Sequence, residues 1–173
     1  MVTKQKKLNE FDDKIKALKI RVYLAGGWFD KYQIKAISYL ENFLSSFNEF
    51  EVFSPRKNIV LKPNISKKEQ DKVFKENLKQ INEADIVIVS TVGKDITTLF
   101  EAGYAFAKNK KIIYTFFDER FNDITFNLML AKSGIICYTN NEKKDFESDI
   151  QSIVQYGIEI LKNFKKYGSK RNL

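Results

Sequence analysis

Five short runs rich in β-branched and aromatic residues, separated by amphipathic stretches long enough to be helices, leave this chain few folds to choose from. The runs are Arg21 to Ala25, Phe50 to Phe53, Asp85 to Ser90, Lys111 to Phe117 and Gly134 to Tyr138. Helical patterns cover Tyr32 to Phe47, Lys67 to Ala84, Thr97 to Asn109, Phe121 to Lys132 and Phe146 to Lys166. In the first of these Ile34, Ile37, Leu40 and Leu44 recur at spacings of three and four, which predicts one apolar stripe. Strands that are apolar along their length, alternating with helices, are the pattern of a parallel sheet covered on its faces. The reading is therefore α/β: a single-domain five-stranded parallel sheet flanked by helices, a three-layer sandwich of the flavodoxin-like or Rossmann-like kind. A chain of 173 residues that is 43% hydrophobic can bury one core of this size.

In such a sheet right-handed crossovers place helices on both faces, and a ligand binds beyond the strand C-termini where strand order reverses. Tyr23, Ser90 and the loop to Asp95 fall toward that edge. The segment from Ser54 to Asn64 follows the second strand and holds both prolines of the chain, Pro55 and Pro63, so it reads as a long loop over the same edge.

The formal charge of +8 is unevenly placed. Residues 1–19 carry +3 and residues 162–173 carry +5, whereas residues 20–161 hold 19 basic and 19 acidic side chains and are neutral. The chain divides into a Lys-rich N-terminal extension (1–19, with Leu8, Phe11, Ile15 and Leu18 on one helical face), a central domain (20–161) and a basic tail (162–173). Charge in tails reads as solubilising, not as a groove that tracks nucleic acid. No apolar run is long enough for a membrane span and the N-terminus is not a signal peptide, so the expectation is a soluble cytoplasmic protein. The chain has no histidine, which removes His-based acid–base chemistry, Ser-His-Asp and Cys-His machinery, and the commonest zinc ligand. The lone Cys137, within an apolar strand, reads as a buried thiol. Catalysis, where present, must rest on carboxylates, tyrosines, amides or lysines.

Two strand-to-helix junctions carry candidate chemistry. After the first strand, Gly26-Gly27 allows a tight turn and close approach of a ligand. It does not match G-x-G-x-x-G, because Trp28, Phe29 and Asp30 follow, and by itself it reads first as a plain turn with Asp30 as helix cap. After the third strand, Glu101 sits in the first turns of a helix whose other positions are apolar, so its carboxylate either points out of the sheet edge or is partly buried. The helix N-terminus is expected to favour its ionised form, as a carboxylate nucleophile requires. Asp95, six residues earlier, offers a second carboxylate, and two carboxylates in unlike environments suit glycosyl chemistry. The bland alternative makes Asp95 a cap and Glu101 a surface residue.

Taken together, Tyr23…Gly26-Gly27-Trp28-Phe29, Ala84-Asp85-Ile86-Val87-Ile88, Asp95…Phe100-Glu101-Ala102-Gly103-Tyr104-Ala105 and Phe126-Asn127-Leu128-Met129 resemble the nucleoside 2-deoxyribosyltransferase family, from about Val22 to Gly134. The resemblance implies that Glu101 attacks the 1′ carbon of a 2′-deoxynucleoside, forming a deoxyribosyl ester that a second free nucleobase displaces. It implies that the Tyr23 hydroxyl holds Glu101 and that Asp95 contacts base and sugar. Gly26, Gly27, Trp28, Phe29, Asn77 and Thr98 would line the substrate site. It further implies a homo-oligomer, a dimer or a trimer of dimers, in which Asn127 and Met129 complete a neighbouring subunit's site, and no metal or organic cofactor. A deoxyribosyl cation lacks the 2′ hydroxyl and ionises readily, so a positioned anion suits it better than a strong acid.

The sequence departs from the family pattern in three places. Asn77 stands where several members carry an aspartate; an amide can hydrogen-bond a base edge but delivers no proton, which shifts leaving-group activation to Asp95 or water. Thr97 replaces a common glycine, and both charged tails lie outside the match. A hydrolase acting on deoxynucleosides or their 5′-monophosphates is the close alternative, and a non-catalytic nucleotide-binding module the more distant one. Asp30 in the first glycine loop would repel a phosphate and favours the free nucleoside, whereas Arg56 could meet one.

Overall fold

A computed structural model of the chain describes residues 19–59, 64–116 and 128–138. Five strands, β1 (Ile20–Ala25), β2 (Phe50–Phe53), β3 (Ile86–Ser90), β4 (Lys111–Phe116) and β5 (Ile135–Tyr138), form one sheet in the order β2-β1-β3-β4-β5. All four pairings are parallel; Tyr23 lies opposite Phe53 on one side and Val87 on the other. The helices are α1 (Lys31–Ser45), α2 (Pro55–Asn58), α3 (Lys67–Glu83), α4 (Ile96–Ala107) and α5 (Leu128–Ser133). The chain runs outward from β1 to β2 and then returns to place β3 on the other side of β1. Strand order therefore reverses between β1 and β3, where the loop after each strand diverges and leaves a crevice.

Alternation along the strands sorts side chains into two cores. Ile20, Val22, Leu24, Ile86, Ile88 and Ile113 face Ile37, Leu40 and Leu44 of α1. Tyr23, Ala25, Val87, Val89, Ile112 and Tyr114 face Ile81 of α3 and Ala102 and Ala105 of α4. The result is the expected three-layer sandwich. Leu24, Leu40, Leu44 and Ile81 are fully buried, each contributing on the order of 1.5–3 kcal/mol relative to exposure.

The helix starts follow from caps. Asp30 accepts from the backbone N–H groups of Tyr32 and Gln33 at 2.8 and 2.9 Å. Ser66 and Glu69 form a reciprocal capping box at the start of α3, and Asp95 caps α4. Each satisfies N–H groups that have no partner within the helix.

Two expectations are corrected. Ile34 does not belong to the buried stripe of α1 but is 43% exposed; Gln33, Ala36 and Glu41 are buried there instead. Within the segment after β2, residues 55–58 form the single turn α2 and are not loop. Pro55 occupies its first position, where a missing N–H costs nothing. The N-terminal extension through residue 18, most of the fourth predicted helix (121–127) and the whole predicted C-terminal helix (146–166) lie outside the described residues. Among the described residues no helix is long and apolar enough to cross a membrane.

Candidate active site

Glu101 is the sixth residue of α4. With Thr98, Ala102 and Ala105 it occupies the face turned inward, which is the i, i+3, i+4, i+7 pattern of a helix packed on a sheet. The residue is only 7% exposed. Tyr23, fully buried in β1, donates its hydroxyl to Glu101 Oε1 at 2.6 Å. The Tyr23 ring is held by stacking on Phe53 at 5.8 Å. A residue from the first strand and one 78 positions later are thus joined at the switch point between β1 and β3.

Burial pushes the Glu101 carboxyl up to about 7 from an ordinary 4.5; the Tyr23 hydrogen bond works in the opposite direction, and the nearby charge of Asp95 adds to the rise. The expectation that the helix N-terminus keeps Glu101 ionised is therefore corrected. Glu101 lies beyond the first turn, where the helix field has faded, and desolvation dominates. Tyr23 is driven well above its usual range by its own burial, then by the charge of Glu101 and the bond to it, so it remains a donor.

Asp95 is the cap of α4: its Oδ2 accepts from the Thr98 N–H at 2.7 Å and from the Thr98 hydroxyl at 2.9 Å. The capping reading of Asp95 holds, and its charge acts on Glu101; Glu101 itself is buried and not the surface residue of the bland alternative. Thr98 is buried and its hydroxyl serves Asp95. Asn77 projects from α3 on the side that carries Phe74, whose ring meets Phe100 at 6.3 Å, and the core residue Ile81. Asn77 Oδ1 is buried without a hydrogen-bond partner among the described residues. An unsatisfied buried acceptor is destabilising by itself.

The glycine turn after β1 is buried at Gly26 and Gly27. A Cβ at Gly27 would lie 2.8 Å from the Gln33 amide, so no larger residue fits there without displacing it. Trp28 packs partly against the α1 core, and Phe29, stacked on it at 5.6 Å, is 73% exposed at the strand edge. Of the two aromatics, Phe29 is the exposed one. Met129, in α5, is 77% exposed; Asn127 lies outside the described residues. Among the described residues no group of three or more His, Cys, Asp or Glu side chains is placed to hold a metal.

Two residues that sequence reasoning did not single out matter here. Gln33 braces the glycine turn. Glu41, buried in α1, accepts from the Ser54 hydroxyl at 2.7 Å and from Arg56 Nε at 3.2 Å, and pairs with Arg56 Nη2; Lys57 Nζ stands 3.6 Å away. Arg56 also donates to the Ser38 hydroxyl at 3.0 Å. The Arg56 guanidinium is thus committed to a carboxylate inside the protein.

Fold and site together define an α/β protein with a buried, tyrosine-bound carboxylate at the switch point between β1 and β3. A family model for nucleoside 2-deoxyribosyltransferases matches residues 22–150, and the chain belongs to that family. Among solved structures it is similar to the 2-deoxyribosyltransferase of Bacillus psychrosaccharolyticus, at 28% identity and a TM-score of 0.59, over 73% of this chain and 90% of that one. A conserved protein of Enterococcus faecalis (15% identity, TM-score 0.62, 80% and 98% covered) shares the fold. So does the CMP N-glycosidase of Clostridium botulinum (24%, 0.52, 77% and 98%). None of the curated proteins compared matches the chain.

Proposed function

We propose that this protein transfers a 2-deoxyribosyl group between nucleobases by two displacements at the 1′ carbon, with Glu101 as the nucleophile. The single observation that carries the reading is the buried 2.6 Å hydrogen bond from Tyr23 to Glu101 Oε1. It fixes one carboxylate oxygen and leaves Oε2 to attack. In the first step a lone pair on Oε2 forms the bond to C1′ while the bond from C1′ to the base nitrogen breaks. The base leaves with that electron pair and takes up a proton from water. In the second step a nitrogen of another base attacks C1′, the ester bond breaks, and Glu101 regains its charge as the incoming base loses its proton to water. Two inversions return the original anomer.

Burial favours this chemistry because an unsolvated carboxylate is a better nucleophile than a hydrated one, and the charge it loses on forming the ester relieves its desolvation. Asp95, steadied through Thr98, stands by as the sugar and base contact, Phe29 as the wall on which a base stacks, and Asn77 Oδ1 as an acceptor for a base N–H. Because Asn77 delivers no proton, bases that leave readily are the preferred donors. Arg56 is committed to Glu41, and drawing it to a phosphate would strand a buried charge; a free nucleoside is therefore favoured over a 5′-monophosphate. Met129 and Leu128, both exposed, support assembly as a homo-oligomer in which Met129 and Asn127 complete a neighbour's sugar pocket.

The test is incubation with 2′-deoxyinosine and adenine, following 2′-deoxyadenosine by chromatography, beside the same reaction without adenine. New nucleoside formed by the native protein, and lost by about a thousandfold in Glu101→Ala, is the expected result. Hypoxanthine release that adenine neither accelerates nor diverts would make the protein a hydrolase, and full exchange by Glu101→Ala would end the mechanism.

A further inference from the structure

We infer that Gln33 is a positioning residue that sets the aromatic wall of the base site by bracing the loop after β1 and the loop after β3 against one another. The consequence for substrate rests on the deoxyribosyl-transfer reading above; the geometry does not.

Gln33 is the third residue of α1 and only 6% exposed. Its Oε1 accepts the backbone N–H of Phe29 at 2.8 Å, and its own backbone N–H donates to Asp30 Oδ1 at 2.9 Å. The turn leading out of the glycines is thereby tied to α1 on both sides of Asp30, which fixes where the Phe29 ring stands. The same amide is pressed by two backbones. A Cβ at Gly27 would lie 2.8 Å from Nε2, and one at Gly93 would lie 2.4 Å from it. Gly93 has φ of 76°, a conformation that an L side chain resists, and stands two residues before Asp95. One planar group therefore fills the space between the β1 loop and the β3 loop. A glutamine suits this place because its amide offers an acceptor to Phe29 in a flat shape that lets both glycines close in.

Gln33 does not touch the Tyr23–Glu101 pair, which is held on the other face of the sheet by β1 and α4. Losing Gln33 should loosen the base wall and leave the nucleophile in place. Trp28, the chain's one tryptophan, stacks on Phe29 and reports the loop directly. In Gln33→Leu, Trp28 emission shifts to the red and acrylamide quenching rises, KM for adenine as acceptor rises about tenfold, the scale of one lost hydrogen bond, and kcat stays within about twofold. Gln33→Glu, which keeps the acceptor oxygen, restores most of both. Gly93→Ala, which pushes the amide from the opposite loop, also moves the Trp28 signal, and this decides the matter where Gln33→Leu does not fold. Unchanged Trp28 emission and quenching in Gln33→Leu, or in Gly93→Ala, would overturn the inference, as would a fall in kcat with KM unmoved. A native protein with no transferase activity would defeat the functional reading alone, because the fluorescence arm needs no turnover.

Discussion

The molecule buries two glutamates and treats them in opposite ways. Glu41, on the α1 face of the sheet, is surrounded by Arg56, Lys57 and the Ser54 hydroxyl. Burial works to raise its carboxyl, but the bonds from Arg56 and Ser54 and the two positive charges outweigh that and hold it below the usual range. Glu101, on the other face, has a tyrosine hydroxyl as its partner and Asp95 as its nearest charge, and its carboxyl rises to about 7. Both side chains are nearly closed to solvent, but Glu101 is the more deeply desolvated and only Glu41 has cations beside it. A buried carboxylate with a guanidinium is a strut, and one with a neutral donor is a group whose charge is poised to change.

The contrast can be broken most forcefully at Arg56. In Arg56→Met the Glu41 charge keeps only Lys57 and Ser54, and urea unfolding should show a loss of about 3 kcal/mol, with the transferase activity of the folded fraction retained. Equal loss of activity per folded molecule would mean that Glu41 and Arg56 belong to the chemistry.

Tyr23→Phe sharpens the other side. It removes the hydrogen bond that lowers the Glu101 carboxyl, so the pH at which activity half-appears should move above about 7, and kcat should fall roughly ten- to a hundredfold. A pH–rate profile with an unmoved midpoint would contradict the pairing. In the native protein, kcat/KM should rise with pH through about 7 as Glu101 ionises.

The smallest expected effect is on stability, and its sign differs between the two residues. The folded state holds the Glu101 proton more tightly than the unfolded state, so that contribution is complete below about 4.5 and is lost as pH rises through about 7. Glu41 works the other way: its contribution is present above the unfolded carboxylate range and lost as pH falls. Glu101→Gln should therefore raise Tm by a few degrees at alkaline pH relative to native protein and change it little in acid. Scanning calorimetry at both ends checks this, and a gain confined to acid would reverse the assignment.

Much of this architecture was legible beforehand, and the misses have a common cause. The strands were readable to within a residue because continuous β-branched runs survive only where both faces are buried, and Asp30 was readable as a cap from its place before an apolar period. Residue type alone assigns Ile34 to the stripe, whereas it is exposed. The inward positions at Gln33 and Glu41 are polar, and the groups that satisfy Glu41, from Ser54 to Lys57, come from another element. The α2 turn is too short to show a period, and its proline spoke for a loop. The ionisation of Glu101 is not legible locally, because burial is a property of the packed α4 and sheet, not of the helix alone. Its pairing with Tyr23 became visible in advance only through family resemblance, since no local pattern links residues 78 apart.

The central claim is that Glu101, and not Glu41 or Asp95, forms a bond to the sugar. Incubating the protein with a 2′-fluoro-2′-deoxynucleoside, whose fluorine slows the second displacement, and mapping the product by peptide mass spectrometry tests it directly. A sugar adduct on the peptide carrying Glu101, absent in Glu101→Gln and discharged by added adenine, is the predicted result. An adduct on another residue, or continued base exchange with no adduct on Glu101, would contradict it.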